Sequence, residues 1–245
     1  MINENIIYLI ILCVIIIGCY LCYKYYFSDS KDNNNKDNNN KQLLNQRFYD
    51  YKKVYPELEI LKDNRNKIIE EVENINKLKW DDWPEKDLYK DDMSWKVFPF
   101  YGFNIWITHN CDMCPEITKI IKKIPNLRTA SLSKFKSKTK LKPHKGYANL
   151  SNDILRCHYG IKVPDLCYIY VENDKQQMKN NEIIVFDDSK THYAENLGDD
   201  DRIVLILDIN RPDYIKKGES DYIDNGELNS FINSFKMMNQ NKIDI

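Results

Sequence analysis

From Trp95 onward the chain alternates short apolar runs with polar turn segments. The runs are WKVFPF, NIWIT, LRTASLSKF, ILRCHYGI, CYIYVE, EIIVFDD and RIVLILDI. Short strands at this spacing favour an antiparallel sandwich or barrel over a parallel sheet, which would need long helices between its strands. One helix is expected among them, PEITKIIKKIP, with Pro115 at its start and a stop at Pro125. The pattern therefore predicts a mainly β domain.

Helical patterns flank this region on both sides. Between Gln42 and about Leu78, apolar residues recur mostly at three-, four- and seven-residue intervals, with charged residues between them. The segment Lys79–Asp92 is a tryptophan-rich connector whose acidic residues match no calcium loop. Near the C-terminus, LNSFINSFKMM (Leu228–Met238) is an amphipathic helix that we expect to dock on the sheet.

The N-terminal pattern is different. The run IIYLIILCVIIIGCYLCY (Ile6–Tyr23) contains no charge, and tyrosines and Lys24 follow it, which predicts a single-pass transmembrane helix. A cleaved signal peptide is the alternative, but a basic start and a small-residue cleavage site are both missing. The low-complexity run SDSKDNNNKDNNNK (Ser28–Lys41) predicts a tether.

These patterns divide the chain into a transmembrane anchor (residues 1–27), a linker (28–41), a globular domain (42–218) and a C-terminal helical tail (219–245). We therefore expect a membrane protein. Counting positive residues around the span places the domain in the cytosol, whereas a disulfide between Cys111 and Cys114 would need an oxidising compartment such as the ER lumen. The side of the membrane stays open between these two.

Composition excludes one class of partner. With a net charge of -1 and no basic stretches interleaved with aromatic residues, the chain is not expected to bind nucleic acid. Of the seven cysteines, Cys157 and Cys167 fall in strand-like runs and are expected to be buried. The motif CDMC (Cys111–Cys114) has no second pair and no histidine spacing that would complete a zinc site.

Lysine occupies every even position from Lys134 to Lys142. On one extended strand these side chains would share a face. The simplest interpretation is a solvated strand face, and the alternative is a basic rim that attracts an anionic substrate or a membrane surface. A turn near Ser137 would break the alternation.

Candidate chemistry is concentrated between His144 and Arg202. Three of the four histidines lie there, His144 in PHKG, His158 in LRCHYG and His192 in FDDSKTH. A β-barrel can bring distant strands together, and two histidines with the carboxylate of an H-x-D/E element form a facial triad for non-haem iron(II). Because Gly146 stands at the carboxylate position, an iron here would have two protein ligands.

Two arginines accompany the histidines. Arg156 and Arg202 lie in or beside apolar strand runs, where a guanidinium needs an anion. Arginine grips a carboxylate through two hydrogen bonds, which suits a dicarboxylate cosubstrate. The alternative for either arginine is a structural partner among Asp187, Asp188 and Asp208.

The sequence resembles the aspartyl/asparaginyl β-hydroxylases, a family that includes protein hydroxylases and lipid A hydroxylases. The resemblance runs from about Tyr55 to Pro212, and PHKG, LRCHYG, FDDSKTH and RIVLILDINRP carry it in the family's order and spacing. It implies a double-stranded β-helix (cupin-like jelly roll) with flanking helices. It also implies a dioxygenase domain over residues 42–218 that uses iron(II), 2-oxoglutarate and dioxygen.

The resemblance implies a role for each candidate residue. His144 and His192 match catalytic iron ligands, and Gly146 matches the glycine that replaces the third ligand. Asp187 and Asp188 match residues that orient the His192 segment. Four residues match cosubstrate-binding positions: Arg156 and His158 near the 1-carboxylate and keto end, and Ser133 and Arg202 at the 5-carboxylate.

The expected activity is hydroxylation of an unactivated carbon, with the β-carbon of Asp or Asn in a protein as the leading acceptor. A lipid acyl chain is the second acceptor, supported by the apolar N-terminal run and the lysine row. A non-catalytic jelly roll that binds a ligand or partner is the third interpretation. Two departures from the family pattern are Asn181 in place of a turn glycine and SKTK before PHKG.

Overall fold

The computed structural model describes residues 45–89, 95–223 and 226–240. The stretches Ile6–Tyr23 and Ser28–Lys41 lie outside them, as does part of the connector Lys79–Asp92. No helix of the described residues is both long and apolar enough to cross a membrane. The longest of them, Glu227–Gln240, has 14 residues, whereas a membrane-spanning helix needs about 20. The predicted single-pass membrane localisation is corrected accordingly.

In the described residues, eleven strands form two antiparallel sheets. The larger sheet has the order β1-β9-β6-β11-β5-β3-β2, with β4 paired to β3, and the smaller sheet has the order β10-β7-β8. This arrangement confirms the prediction of a mainly β domain. The strands are β1 (Phe48–Tyr49), β2 (Asp81–Asp82), β3 (Trp95–Gly102), β4 (Ile105–Trp106), β5 (Leu127–Phe135), β6 (Ile154–Lys162), β7 (Cys167–Val171), β8 (Asp174–Gln177), β9 (Ile183–Phe186), β10 (His192–Asn196) and β11 (Arg202–Asn210).

Short helices precede, interrupt and follow the sheets. Proline opens the helix Pro115–Ile121, as the sequence predicts. The C-terminal helix Glu227–Gln240 lies against the helix Thr108–Met113. The α-helices are α1 (Tyr51–Val54), α2 (Glu59–Asp63), α3 (Arg65–Ile75), α4 (Thr108–Met113), α5 (Pro115–Ile121), α6 (Ala148–Ser151) and α7 (Glu227–Gln240), and Pro56–Leu58 and Lys86–Leu88 are 3-10 helices.

The larger sheet is covered on both faces. Along β11, Val204 and Ile206 belong to the core cluster that also contains Ile169 and Ala194 of the smaller sheet. Leu205 points to the other face and is also buried. Burial of both faces explains why this strand is an uninterrupted apolar run.

Helices cover the outer face of the larger sheet. The Tyr55 hydroxyl donates to the carbonyl oxygens of Ile209 and Asn210 in β11. The rings of Trp80 and Phe98 lie 5.7 Å apart. On the larger sheet, the strand register places four of the predicted site residues on the inner face with Val204 and Ile206: Ser133, Arg156, His158 and Arg202.

The lysine row does not form one strand face. Strand β5 ends at Phe135, and Lys138 has a φ of 59° in the turn that follows, so the alternation is broken near Ser137. Lys134 is only 7% exposed. Its Nζ donates to the carbonyl and side-chain oxygens of Asn76 and lies 4.2 Å from the centre of the Trp80 ring. The prediction of a solvated face is wrong for Lys134.

Three other expectations have a clear outcome. Cys157 and Cys167 are buried free thiols, as expected, and Cys111 and Cys114 are also free. Asn181 adopts a φ of 62°, which asparagine tolerates better than most residues, and so replaces a turn glycine. The run NIWIT forms only the two-residue β4 before α4 begins.

Candidate active site

His144 and His192 form an isolated antiparallel β-bridge. The His144 amide donates to the His192 carbonyl at 3.0 Å, and the His192 amide donates to the His144 carbonyl at 2.8 Å. Residues directly opposite each other in an antiparallel pair project to the same face. The ring centroids consequently lie only 4.3 Å apart. The fold thus brings together two imidazoles that are distant in the sequence.

Each imidazole has one nitrogen engaged by the backbone. His144 Nδ1 lies 2.9 Å from the Lys142 carbonyl oxygen, and His192 Nδ1 lies 2.8 Å from that of Lys190. A neutral imidazole that donates from Nδ1 keeps the lone pair on Nε2. Burial lowers the pKa of His144 to about 4 and holds the pKa of His192 well below its usual range. Two neutral rings whose Nε2 lone pairs are not used by the backbone fit a divalent metal ion.

Asp188 lies beside this histidine pair. Its Oδ1 is 3.3 Å from His192 Nε2, and burial raises its pKa to about 7, against the opposing charge of Arg156. A Cβ placed on Gly146 would overlap the Asp188 carboxylate. Position 146 therefore has no room for a side chain. Within residues 45–89, 95–223 and 226–240, no group of three His, Cys, Asp or Glu side chains is arranged to hold a metal.

Arg156 is held by two carboxylates. Its Nε and Nη2 donate to the two oxygens of Asp208 at 2.7 and 3.0 Å, and its Nη1 lies 2.7 Å from Asp188 Oδ1. Both partners are among the structural alternatives that the sequence offered. Arg156 therefore connects Asp208, on the larger sheet, to Asp188, which lies beside the histidine pair.

Arg202 has a different environment. It is 1% exposed, its Nη2 lies 3.2 Å from Ser133 Oγ, and its guanidinium carbon lies 3.7 Å from the centre of the Phe135 ring. No carboxylate in the described part of the chain forms an ion pair with it, and its Nε has no hydrogen-bond partner there. Burial lowers its pKa to about 10. A buried guanidinium in this state fits an anionic ligand.

His158 lies between the two arginines. The charges of Arg202 and Arg156 add to the effect of burial and hold its pKa well below the usual range, so the ring is neutral. Neither ring nitrogen has a hydrogen-bond partner among the described residues, and the ring meets Phe186 edge to face at 5.2 Å. Ser133, Arg202 and His158 together provide polar groups that a small dicarboxylate could satisfy.

A cavity of about 70 Å³ opens beside Arg156 and Asp208. Its other charged residue is Glu85. Most of the remaining lining is apolar or aromatic: Trp83, Pro84, Pro99, Tyr101, Phe103, Tyr147 and Leu150, with Thr129, Ala130 and Ser131.

Sequence reasoning missed several residues of the site. Trp95 Nε1 donates to Ser133 Oγ at 2.9 Å, and Met178 Sδ lies 3.5 Å from Arg202 Nη1. Arg211 forms a buried ion pair with Asp187. Of these residues, only Arg211 could have been found from the sequence, because it lies in the family motif RIVLILDINRP.

Comparison with known proteins gives a family. The family model described as aspartyl/asparaginyl beta-hydroxylase matches residues 62–212, more than half of the chain. An ornithine lipid ester-linked acyl 2-hydroxylase of Rhizobium tropici is 35% identical over 124 residues, which cover 49% of this chain and 43% of that protein. Aspartate beta-hydroxylase domain-containing protein 2 of Mus musculus is 28% identical over 130 residues, 48% of this chain and 36% of the mouse protein. The chain thus spans less than half the length of these relatives.

Among solved structures, the fold is similar to a prolyl hydroxylase from Trichoplax adhaerens in complex with a peptide fragment of the hypoxia inducible factor oxygen degradation domain. The two share 10% identity and a TM-score of 0.42, over 61% of this chain and 79% of that one. A score this low carries no argument. The match of the family model over residues 62–212 does, and the chain belongs to the aspartyl/asparaginyl β-hydroxylase family.

Proposed function

We propose that this chain is an iron(II)- and 2-oxoglutarate-dependent hydroxylase built on a double-stranded β-helix. The observation that carries the proposal is Arg202, a buried guanidinium without an acidic partner in the described residues. Its charge acts on His158, and Phe186 contacts the rings of both His158 and His192. The two facing antiparallel sheets support the fold. Family membership supports the reaction class.

Each group has a defined task in this proposal. The Nε2 atoms of His144 and His192 hold the iron, and the Nδ1 hydrogen bonds to backbone carbonyls keep both rings in the required tautomer. Arg202 and Ser133 bind the 5-carboxylate of 2-oxoglutarate, and His158 donates to its keto acid end. When bound, iron(II) lets dioxygen and 2-oxoglutarate yield succinate and carbon dioxide while one oxygen atom enters a carbon–hydrogen bond of the acceptor.

The acceptor would enter through the cavity beside Arg156. The leading acceptor expected from the sequence, an Asp or Asn side chain, needs polar partners, and a carboxylate needs a free cation. Arg156 is the cation in the lining, and it already contacts Asp208 and Asp188. The aromatic lining favours the second acceptor, a lipid acyl chain, because apolar surface gains most from burial there. The 35% identity to a protein named as an acyl 2-hydroxylase supports the same choice.

One experiment tests the reaction and the acceptor together. The full chain is incubated with iron(II), 2-oxoglutarate and heavy-isotope dioxygen, in parallel with an Asp/Asn-containing peptide and with an acyl lipid. We expect succinate formation and a heavy oxygen in the acyl chain. Label in the peptide alone would restore the Asp/Asn acceptor. Absence of succinate under all conditions would contradict the hydroxylase and favour the non-catalytic alternative.

The cavity offers a matched control for the acceptor. Leu150→Trp should fill the cavity next to Tyr147 without touching Arg202. This variant should lose acceptor labelling yet keep succinate formation, because Arg202 and the histidine pair are unchanged. Equal loss of both would mean that the cavity is not a separate acceptor site.

A further inference from the structure

Asp208 lies on β11 of the larger sheet, whereas His192 lies on β10 of the smaller sheet and His144 is bridged to His192. It is 2% exposed. Its Oδ2 accepts from Thr129 Oγ1 at 2.6 Å and from Arg156 Nη2 at 3.0 Å, while its Oδ1 accepts from Arg156 Nε at 2.7 Å. Three hydrogen bonds therefore fix this carboxylate in one position.

The same guanidinium reaches the histidine pair. Arg156 Nη1 lies 2.7 Å from Asp188 Oδ1, and that oxygen lies 3.3 Å from His192 Nε2. Above the pKa of Asp188, which burial raises to about 7, two ionised carboxylates share one cation, and the trio formed by Asp188, Arg156 and Asp208 has a net charge of -1. The charges interact strongly because both carboxylates are buried and the Arg156 side chain is only 15% exposed.

We propose that Asp208 sets the charge of the metal site by neutralising Arg156, so that the negative charge of Asp188 remains available to a cation held by His144 and His192. This inference rests on the proposed function. Without Asp208, Arg156 would pair with Asp188 alone and the trio would be neutral. A divalent ion would then enter a site with a guanidinium beside it and no surplus negative charge.

Metal affinity tests the proposal without any turnover. The full chain, stripped of metal, is titrated with Co²⁺ by calorimetry at a pH above the pKa of Asp188, which is raised to about 7. Asp208→Asn should weaken Co²⁺ binding about tenfold or more, the range expected for residues that act on a metal through its ligands. Asp208→Glu, which keeps the charge, should retain most of the affinity. Glu73→Gln removes a carboxylate from the exposed side of α3 and should leave the affinity unchanged.

A double variant separates charge from structural support. Arg156→Gln with Asp208→Asn leaves Asp188 as the one charge of the trio, so the net charge returns to -1. Charge control predicts that this variant binds Co²⁺ more tightly than Asp208→Asn alone. Equal or weaker binding, in proteins that unfold cooperatively, would overturn the proposal, as would wild-type affinity in Asp208→Asn.

One further variant distinguishes failure of the inference about Asp208 from failure of the proposed function. His192→Ala is titrated in the same series. If Co²⁺ binding does not depend on His192, the metal site itself is wrong. If it depends on His192 and Asp208→Asn has no effect, only the role of Asp208 is refuted.

Discussion

The Asp188 carboxylate occupies the space that a side chain at Gly146 would need. The Gly146 amide donates to the Asp188 carbonyl at 2.9 Å, and a Cβ on Gly146 would come within 2.8 Å of Asp188 Cγ. A carboxylate two residues after His144, as in the H-x-D/E element, is therefore sterically excluded while Asp188 keeps its position. The glycine follows from packing, and a lost ligand is not needed to explain it.

Gly146→Ala should destabilise the fold by about 1–3 kcal/mol, the usual cost of an extra methyl group in a packed site. The measurement is urea unfolding in the absence of metal. The double variant Gly146→Ala with Asp188→Ala removes the overlapping carboxylate, so the two changes should cost less together than their sum. Simple additivity would show that the overlap is relieved by backbone movement.

His192→Ala should abolish Co²⁺ binding and, with iron(II), succinate formation, because one of two proposed ligands is lost. His144→Ala should have the same effect. His109 provides the control, since it is exposed on α4, away from the site, and His109→Ala should behave as the wild type. Unchanged turnover in His192→Ala would refute the ligand assignment.

Arg156 and Arg202 should respond oppositely to replacement by methionine. Arg156→Met leaves Asp188 and Asp208 buried without their cation, which should destabilise the protein by about 3–5 kcal/mol. Arg202→Met removes a buried charge that has no acidic partner in the described residues, so the ligand-free protein should be as stable as the wild type or more so.

The same Arg202→Met variant should also lose the rise in unfolding temperature that 2-oxoglutarate causes in the wild type, and the 2-oxoglutarate requirement of turnover should rise steeply. Arg128, which donates to Asn210 Oδ1, offers a control: Arg128→Met should keep the ligand-induced shift. A preserved shift in Arg202→Met would move the carboxylate clamp elsewhere.

The His144 imidazole predicts a pH dependence of stability. Burial lowers its pKa from 6.5 to about 4, so between these values the unfolded chain binds more protons than the folded one. The corresponding stability is complete above pH 6.5 and is lost as the pH falls toward 4. Because His144 keeps partial exposure, we expect a loss of only about 1 kcal/mol. Urea unfolding at several pH values should show the wild type weakening relative to His144→Gln. A constant difference between the two would contradict the lowered pKa.

The sequence predicted most strands because their burial leaves long apolar runs. β5 and β11 follow the predicted LRTASLSKF and RIVLILDI, and α5 begins at the predicted Pro115. Prediction from the sequence failed where a strand is stabilised by pairing with its neighbour and not by burial of apolar residues. β8 is the polar run DKQQ at the edge of the smaller sheet, and β10 begins at His192 within a polar motif. Such strands are specified by their partners, which a local pattern does not reveal.

The sequence was sufficient to name the residues of the candidate site, but not to predict which ion pairs they form. The motif positions named the two histidines, two arginines, His158 and Ser133, and their roles stay predictions. Which arginine has a carboxylate partner depends on strand register: Arg156 stands opposite Asp208 on β11, whereas Arg202 stands opposite Phe135 on β5. Register is a long-range property, so the sequence left Asp187, Asp188 and Asp208 open to both.

Under the proposed function, the charge of Arg202, which has no acidic partner in the described residues, links the stability of the protein to 2-oxoglutarate. Desolvating a guanidinium without an anion destabilises the folded state, and a bound dicarboxylate removes that penalty. By mass action, the fraction of molecules open to proteolysis then falls as the keto diacid becomes abundant. If Arg202 binds 2-oxoglutarate as proposed, the keto diacid would therefore protect the folded protein as well as support its turnover.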